Sequence, residues 1–177
     1  MKIAVFGDIH SNHIALETCI HHAMDQGVDE FLFLGDYISD CPYPDKTMKV
    51  VYEMEEKYCC RFIRGNREDY MLNHRKHPEE RWTYSSASGN LLYTYENLTE
   101  RDLDFYERID IQGIYEKEGY PSFRYCHGSL MSSNELLLPE NENLDKIMSD
   151  LDVNLLISGH THIQETVRFG NKRLIHP

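Results

Sequence analysis

Several things are scarce in this chain of 177 residues, and each scarcity removes a class of protein. No apolar run is long enough to cross a bilayer. The opening Met1-Lys2-Ile3-Ala4-Val5-Phe6 meets Gly7-Asp8 at once, without the longer apolar stretch and cleavage site of a secretory leader, so a cytoplasmic location is expected. There are five cysteines, an odd number with no CxxC pair, and Cys59 and Cys60 are neighbours in a strand-like run. A disulfide framework is thereby disfavoured, and the thiols read as free core residues. Basic residues are in the minority, with 18 Lys and Arg against 30 Asp and Glu for a formal charge of -12. That balance disfavours an extended nucleic-acid partner, whose phosphates would need Lys and Arg. No repeat, linker or low-complexity segment breaks the chain, and its length suits one domain over 1–177 with a real core.

What is present is a set of strand-like runs that each end in metal-binding residue types. KIAVF runs into Gly7-Asp8-Ile9-His10 and EFLFL into Gly35-Asp36. CCRFI runs into Arg64-Gly65-Asn66, SFRYC into His127-Gly128, and NLLIS into Gly159-His160-Thr161-His162. Parallel strands bring their C-terminal ends to one sheet edge, where ligand sites form. Two Asp, one Asn and four His at one edge make a candidate two-metal site. Asp8 and His10, like His160 and His162, are two residues apart, which in an extended segment points both side chains the same way. Imidazole plus hard oxygen without thiolate favours Mn, Fe, Zn, Ni or Co over a cysteine-type structural zinc site, and over Ca or Mg alone.

The intervening segments alternate. Strands are predicted over 2–7, 30–35 and 59–64, with helices over 12–26 and 45–57 between them. Ser11 or Asn12 would cap the first helix and Asp45 the second. Leu16, Cys19, Ile20, Ala23 and Met24 would face inward from the first helix; Thr47, Val50, Val51 and Met54, with Tyr58 just beyond, would do so from the second. From about 68 to 108 the chain is polar, aromatic and mostly helical, with a capping-box form at Thr99-Glu100-Arg101-Asp102. Hairpins are expected from 109–116 with 121–127 and from 163–169 with 172–175; a helix near 143–151 and a strand over 153–158 lie between them. The aromatic group Tyr70, Trp82, Tyr84, Tyr93, Tyr95, Phe105 and Tyr106 reads as the core of a small helical insertion, with a stacking cap as the other reading. The expected architecture is α/β, a two-sheet sandwich with helices outside.

With these motifs the chain resembles the calcineurin-like metallophosphoesterase superfamily, whose pattern is D-x-H, G-D, G-N-H-[DE], H-G and G-H-x-H. Here it stands as Asp8-Ile9-His10, Gly35-Asp36, Gly65-Asn66-Arg67-Glu68, His127-Gly128 and Gly159-His160-Thr161-His162, spread over nearly the whole chain. The form Gly-Asp-Ile-His-Ser-Asn-His-Ile-Ala-Leu-Glu is most similar to the small bacterial and archaeal phosphodiesterase branch. The resemblance implies a metallophosphoesterase sandwich with an insertion at about 68–108, and two divalent ions about 3.5–4 Å apart, Mn first among them. It implies Asp8, His10 and His162 on one ion, Asn66, His127 and His160 on the other, and Asp36 on both. It further implies hydrolysis of a small phosphoester, a diester or a monoester, by a metal-activated hydroxide. Catalytic roles then fall on Asp36, Asn66 and Arg67, and substrate binding on Asn12, Asn66 and Arg67; a plain N-cap is the other reading of Asn12.

Two departures stand out. Many members carry His after the motif Asn, as a proton donor; here Arg67 stands, which stays charged and cannot act as an acid. Arg67 is expected to bind substrate, or else to pair with Glu68 or Asp69. His13 and His74 lie near in sequence and read as surface residues. The chain also stops at Leu174-Ile175-His176-Pro177, where members typically run on through further strands, so truncation of the second sheet is an expectation. Rival readings are a protein phosphatase, a dinucleoside polyphosphate hydrolase, or a binding scaffold without turnover. Against the first, the Asp-Arg-Gly of that group is replaced by Ser39-Asp40-Cys41. No membrane association is expected, and a homo-oligomer is open.

Overall fold

A computed structural model describes residues 1–79 and 81–177. Strands β1 (Ile3–Phe6), β2 (Glu30–Phe33) and β3 (Cys60–Phe62) form a parallel sheet in that order, with Ile3 opposite Glu30 and Phe31 opposite Cys60. The crossovers are helices α1 (His13–Asp25) and α2 (Pro44–Lys57). The second sheet runs β4-β5-β6-β8-β7, from β4 (Gln112–Tyr115), β5 (Phe123–Cys126), β6 (Leu155–Ser158), β7 (Glu165–Phe169) and β8 (Lys172–His176). Both expected hairpins form, β4 with β5 and β7 with β8, while β5, β6 and β8 run parallel.

Each layer follows from side-chain periodicity. Leu32, Leu34 and Ile63 from the first sheet meet Tyr115, Phe123, Tyr125 and Ile157 from the second, forming the core between the sheets. On the first sheet's other face, Phe31 and Phe33 pack under Leu16, Ile20 and Ala23 of α1 and Met48, Val51 and Met54 of α2. A third cluster joins Cys126, Leu156 and Leu174 to Leu144 and Met148 of α6 (Leu144–Asp150). The expected sandwich with helices outside is therefore the fold, with one refinement. The five motif-bearing strands are divided between two sheets, β1 to β3 in one and β5 and β6 in the other.

The segment expected as an insertion forms α3 (Asn66–Lys76), α4 (Gly89–Glu96) and α5 (Glu100–Arg108). Its aromatics divide. Phe105 and Tyr106 are buried, and Trp82 and Tyr95 pack against the same cluster, as the core reading requires. Tyr84 and Tyr93 are exposed. Tyr93 ties the insertion to the α2 side, its hydroxyl donating to Pro42 O at 3.0 Å.

Several local expectations are corrected. Tyr43 rather than Asp45 precedes α2 as N-cap; Pro44 opens the helix, because its fixed φ suits the first turn, and Asp45 sits inside that turn. Cys19 and Cys59 are exposed and not core thiols, and Tyr58, at the C-cap of α2, is exposed as well. His74 is half-buried and not a free surface side chain: its ring stacks on Trp82 at 4.0 Å and meets Tyr95 edge-on. The capping box at Thr99 and Asp102 forms as read.

Candidate metal centre

The site is built where the strands of the two sheets end. Past β1 and β2 the chain keeps pairing, with Asp8 N donating to Gly35 O (3.2 Å), His10 N to Asp36 O (2.9 Å) and Ser11 N to Tyr37 O (2.8 Å). From the second sheet, His160 N donates to the Asp8 carboxylate at 3.0 Å. The backbone turns sharply to do this. Asp8, His10, Asp36, His160 and His162 all have left-handed φ, between 49° and 66°. That conformation is strained for residues with a Cβ and clusters at functional sites. Two glycines have no alternative. A Cβ on Gly35, itself at φ 91°, would lie 2.3 Å from Gly65 N, and one on Gly65 would lie 2.2 Å from Asp36 Oδ1.

All seven residues singled out as ligands converge. Asp8, His10 and His162 form one group of donors and Asp36, His127 and His160 another. His10 Nε2 lies 3.1 Å from His162 Nε2, and His162 Nε2 lies 3.3 Å from Asp8 Oδ1. His127 Nε2 lies 3.1 Å from Asn66 Oδ1 and 3.4 Å from Asp36 Oδ1. Lone-pair donors each about 2.1 Å from a shared ion stand about 3.0–3.4 Å apart in tetrahedral or octahedral arrangements. The residues therefore fit divalent cations. Asp36 joins the groups, because its Oδ1 faces His127 and its Oδ2 lies 3.7 Å from His10 Nε2.

The histidines are prepared electrostatically. His127 Nδ1 is 2.7 Å from Leu34 O, which requires the proton there and turns Nε2 inward as the ligand atom. Burial works against charge on that ring, but its hydrogen bond to Asp36 and the Asp36 charge prevail and push it up to about 9. Burial lowers both His10 and His160, keeping their rings neutral and able to ligate. Burial would raise Asp36, yet His127 and the Arg67 backbone N–H hold it below the usual carboxylate range.

Two residues matter here that the motif reading passed over. Glu68 is fully buried, and its carboxylate accepts from Gly65 N (2.7 Å), Asp36 N (2.9 Å) and Tyr37 N (2.9 Å). It fixes the Asp36 loop to the start of α3. Burial and the Asp36 charge push its carboxyl up to about 8. Its place in the quoted motif was the available signal. Asp40 was visible only as a departure from the protein-phosphatase segment; it lies 3.1 Å from Arg67 Nη2.

Arg67 has its Nε 4.0 Å from Asp36 Oδ2. The expected alternatives to substrate binding, pairing with Glu68 or Asp69, do not occur. Glu68 is held by backbone N–H groups, and Asp69 accepts from Arg64 Nε at 2.6 Å and from Ser133 Oγ. Asn12 caps α1, its Oδ1 accepting from Ala15 N at 3.1 Å.

The calcineurin-like phosphoesterase family matches residues 1–164. The chain belongs to that family. The fold is shared with a hypothetical protein of Pyrococcus horikoshii (19% identity, TM-score 0.81), over 99% of this chain and 75% of the other. It is shared with a structure described as a novel archaeal phosphodiesterase (19% identity, TM-score 0.55), over 100% and 83%. It is also shared with the Vps29 protein of Entamoeba histolytica (18% identity, TM-score 0.52), over 100% and 73%. No curated protein matches the sequence. Among the described residues, no helix is long and apolar enough to cross a membrane.

Proposed function

We propose that this family member is a hydrolase of small phosphodiesters that works with two divalent cations. Asp8, His10 and His162 would hold one ion, Asn66, His127 and His160 the other, and Asp36 both. The observation that carries the reading is Asp36 itself. Its two carboxylate oxygens are directed to different donor groups, 3.4 Å from His127 and 3.7 Å from His10, which supports a bridging role. Bound there, the ions would supply Lewis-acid charge to the phosphoryl oxygens and would lower the pKa of water so that hydroxide is available near neutral pH. The donor set, nitrogen and oxygen without sulfur, suits Mn, Fe, Zn, Ni or Co, and the family resemblance puts Mn first among them.

The chain's own residues have three tasks. Asp36 and Asn66 hold the reacting centre between the two sheets. Arg67, about a quarter exposed at its side chain, offers guanidinium N–H groups to a non-bridging phosphate oxygen. Arg67 cannot protonate a leaving group, so the site favours esters whose leaving group departs without that help. Activity is therefore expected to be greater on aryl phosphodiesters than on alkyl phosphomonoesters, and comparable kcat/KM on both would refute this. The substrate is a small molecule, because the net charge of -12 repels a long polyanion.

The test is hydrolysis of a chromogenic aryl phosphodiester with added Mn, comparing wild type with Asp36→Asn and His127→Ala. Loss in both variants supports the reading. Equal rates in all three proteins would replace it with a scaffold that keeps this fold without turnover.

A further inference from the structure

One carboxylate near the site belongs to neither donor group. Asp40 follows β2 at φ 66°, between Ser39 and Cys41. Its Oδ1 accepts from Asn90 Nδ2 of α4 at 2.8 Å, which fixes the carboxylate from the insertion side. Its Oδ2 lies 3.1 Å from Arg67 Nη2 and 3.1 Å from His10 Nδ1. Asp40 therefore engages the guanidinium that would meet the phosphate, and it adds negative charge on that side of the site.

We propose that Asp40 is a specificity-determining residue that sets this site for singly charged phosphodiesters and against doubly charged phosphomonoesters. This rests on the phosphoester reading above and deepens it. The physical reason has two parts. A diester carries one negative charge, whereas a monoester carries about -1.5 to -2 at neutral pH, so a fixed carboxylate repels the monoester more. Arginine also binds phosphate best through two parallel N–H donors, and Asp40 occupies one edge of that fork. One free edge is enough for a monoanion and less than a dianion uses. The same pairing keeps the guanidinium in place without substrate, its Nε 4.0 Å from Asp36.

Asp40→Asn is the informative variant. Asparagine matches the shape, tolerates left-handed φ, and can still accept from Asn90. Asp40→Gly, which also tolerates that backbone, removes the charge should the first variant fold poorly. Two readouts are taken on the Mn-loaded protein at pH 8. The first is calorimetric binding of inorganic phosphate against diphenyl phosphate. The second is the ratio of kcat/KM for an aryl phosphomonoester and the matching diester. Comparing two anions on one loaded protein cancels any change in metal occupancy caused by the lost neighbour of His10.

The expected result is a shift of about tenfold or more toward the dianion in both readouts. The shift should shrink when Arg67→Met is combined with Asp40→Asn, because part of it comes from the freed fork. Unchanged ratios in Asp40→Asn and Asp40→Gly, with the wild type active on the diester, overturn the inference and leave the phosphoester reading standing. No hydrolysis and no anion binding by the loaded wild type removes both.

Discussion

The two donor groups are built alike and placed differently. In the Asp8, His10, His162 group, the His162 side chain is 56% exposed and Asp8 17%. In the Asp36, His127, His160 group, His127 is 0% exposed and Asp36 2%. The buried group is locked by partners, with Leu34 O on His127 and the Glu68-braced loop under Asp36. His162 reaches the site from the loop before β7, the outer strand of the second sheet. The same donor chemistry thus stands in two settings: the inner group is enclosed and braced, and the outer group opens to solvent at His162.

With the bridging role proposed for Asp36, its loss should erase the contrast. Asp36→Asn is expected to lower kcat/KM by on the order of 10³ or more, with metal content falling at both places, measured by elemental analysis after gel filtration. The histidines then separate the groups. His127→Ala should lower thermal stability as well as activity, by about 2–4 kcal/mol, since it leaves a cavity and unpairs Leu34 O. His162→Ala should weaken metal binding and leave the melting temperature within a degree or two, since surface changes stay within about 0.5 kcal/mol. Equal melting shifts would break the distinction between inner and outer groups.

Glu68→Gln tests the brace. One carboxamide oxygen cannot replace a carboxylate facing three N–H donors, and its NH₂ would confront one of them. Activity should fall about 10–100-fold with every ligand intact. Chelation should give two phases of metal release, the faster from the exposed group; a single phase with both ions leaving together would show that the groups act as one.

The smallest effect is in pH. In the ion-free protein the His127 pKa is raised to about 9, so the ring carries a proton at pH 7 that a metal must displace. Affinity of the inner group should therefore rise with pH up to about 9 and fall on acidification. His10, lowered by burial, is already neutral at pH 7 and adds no such dependence there. Proton release on metal binding, from calorimetry in buffers of different ionisation enthalpy, measures this.

Much of the molecule was legible because its signals are local. The alternation of strands and helices, both hairpins, the Thr99 capping box and the meeting of the strand-end motifs at one place follow from periodicity, turn residues and motif placement. What was missed depends on long-range placement. The division of the motif strands between two sheets depends on how the hairpins pair, which no window of sequence contains. Glu68 looks like an ordinary helical glutamate until Gly65, Asp36 and Tyr37 turn their N–H groups to it. His74 looked solvent-facing because its partner Trp82 lies beyond the end of its own helix. The Asp40–Arg67 pair spans 27 residues and follows no spacing rule.

The left-handed turns have one more consequence. Among the described residues, eight other than glycine hold positive φ, Asp8, His10, Ser11, Asp36, Ser39, Asp40, His160 and His162, and all lie in the loops that carry the candidate site. Each would be relaxed by glycine. These loops are held under conformational load, offset where the side chain is itself a partner, as the Asp8 carboxylate is for His160 N and the Asp36 carboxylate for Arg67 N. Side chains standing where glycine would sit with less strain mark turns at which the donor group, and not backbone comfort, sets the residue.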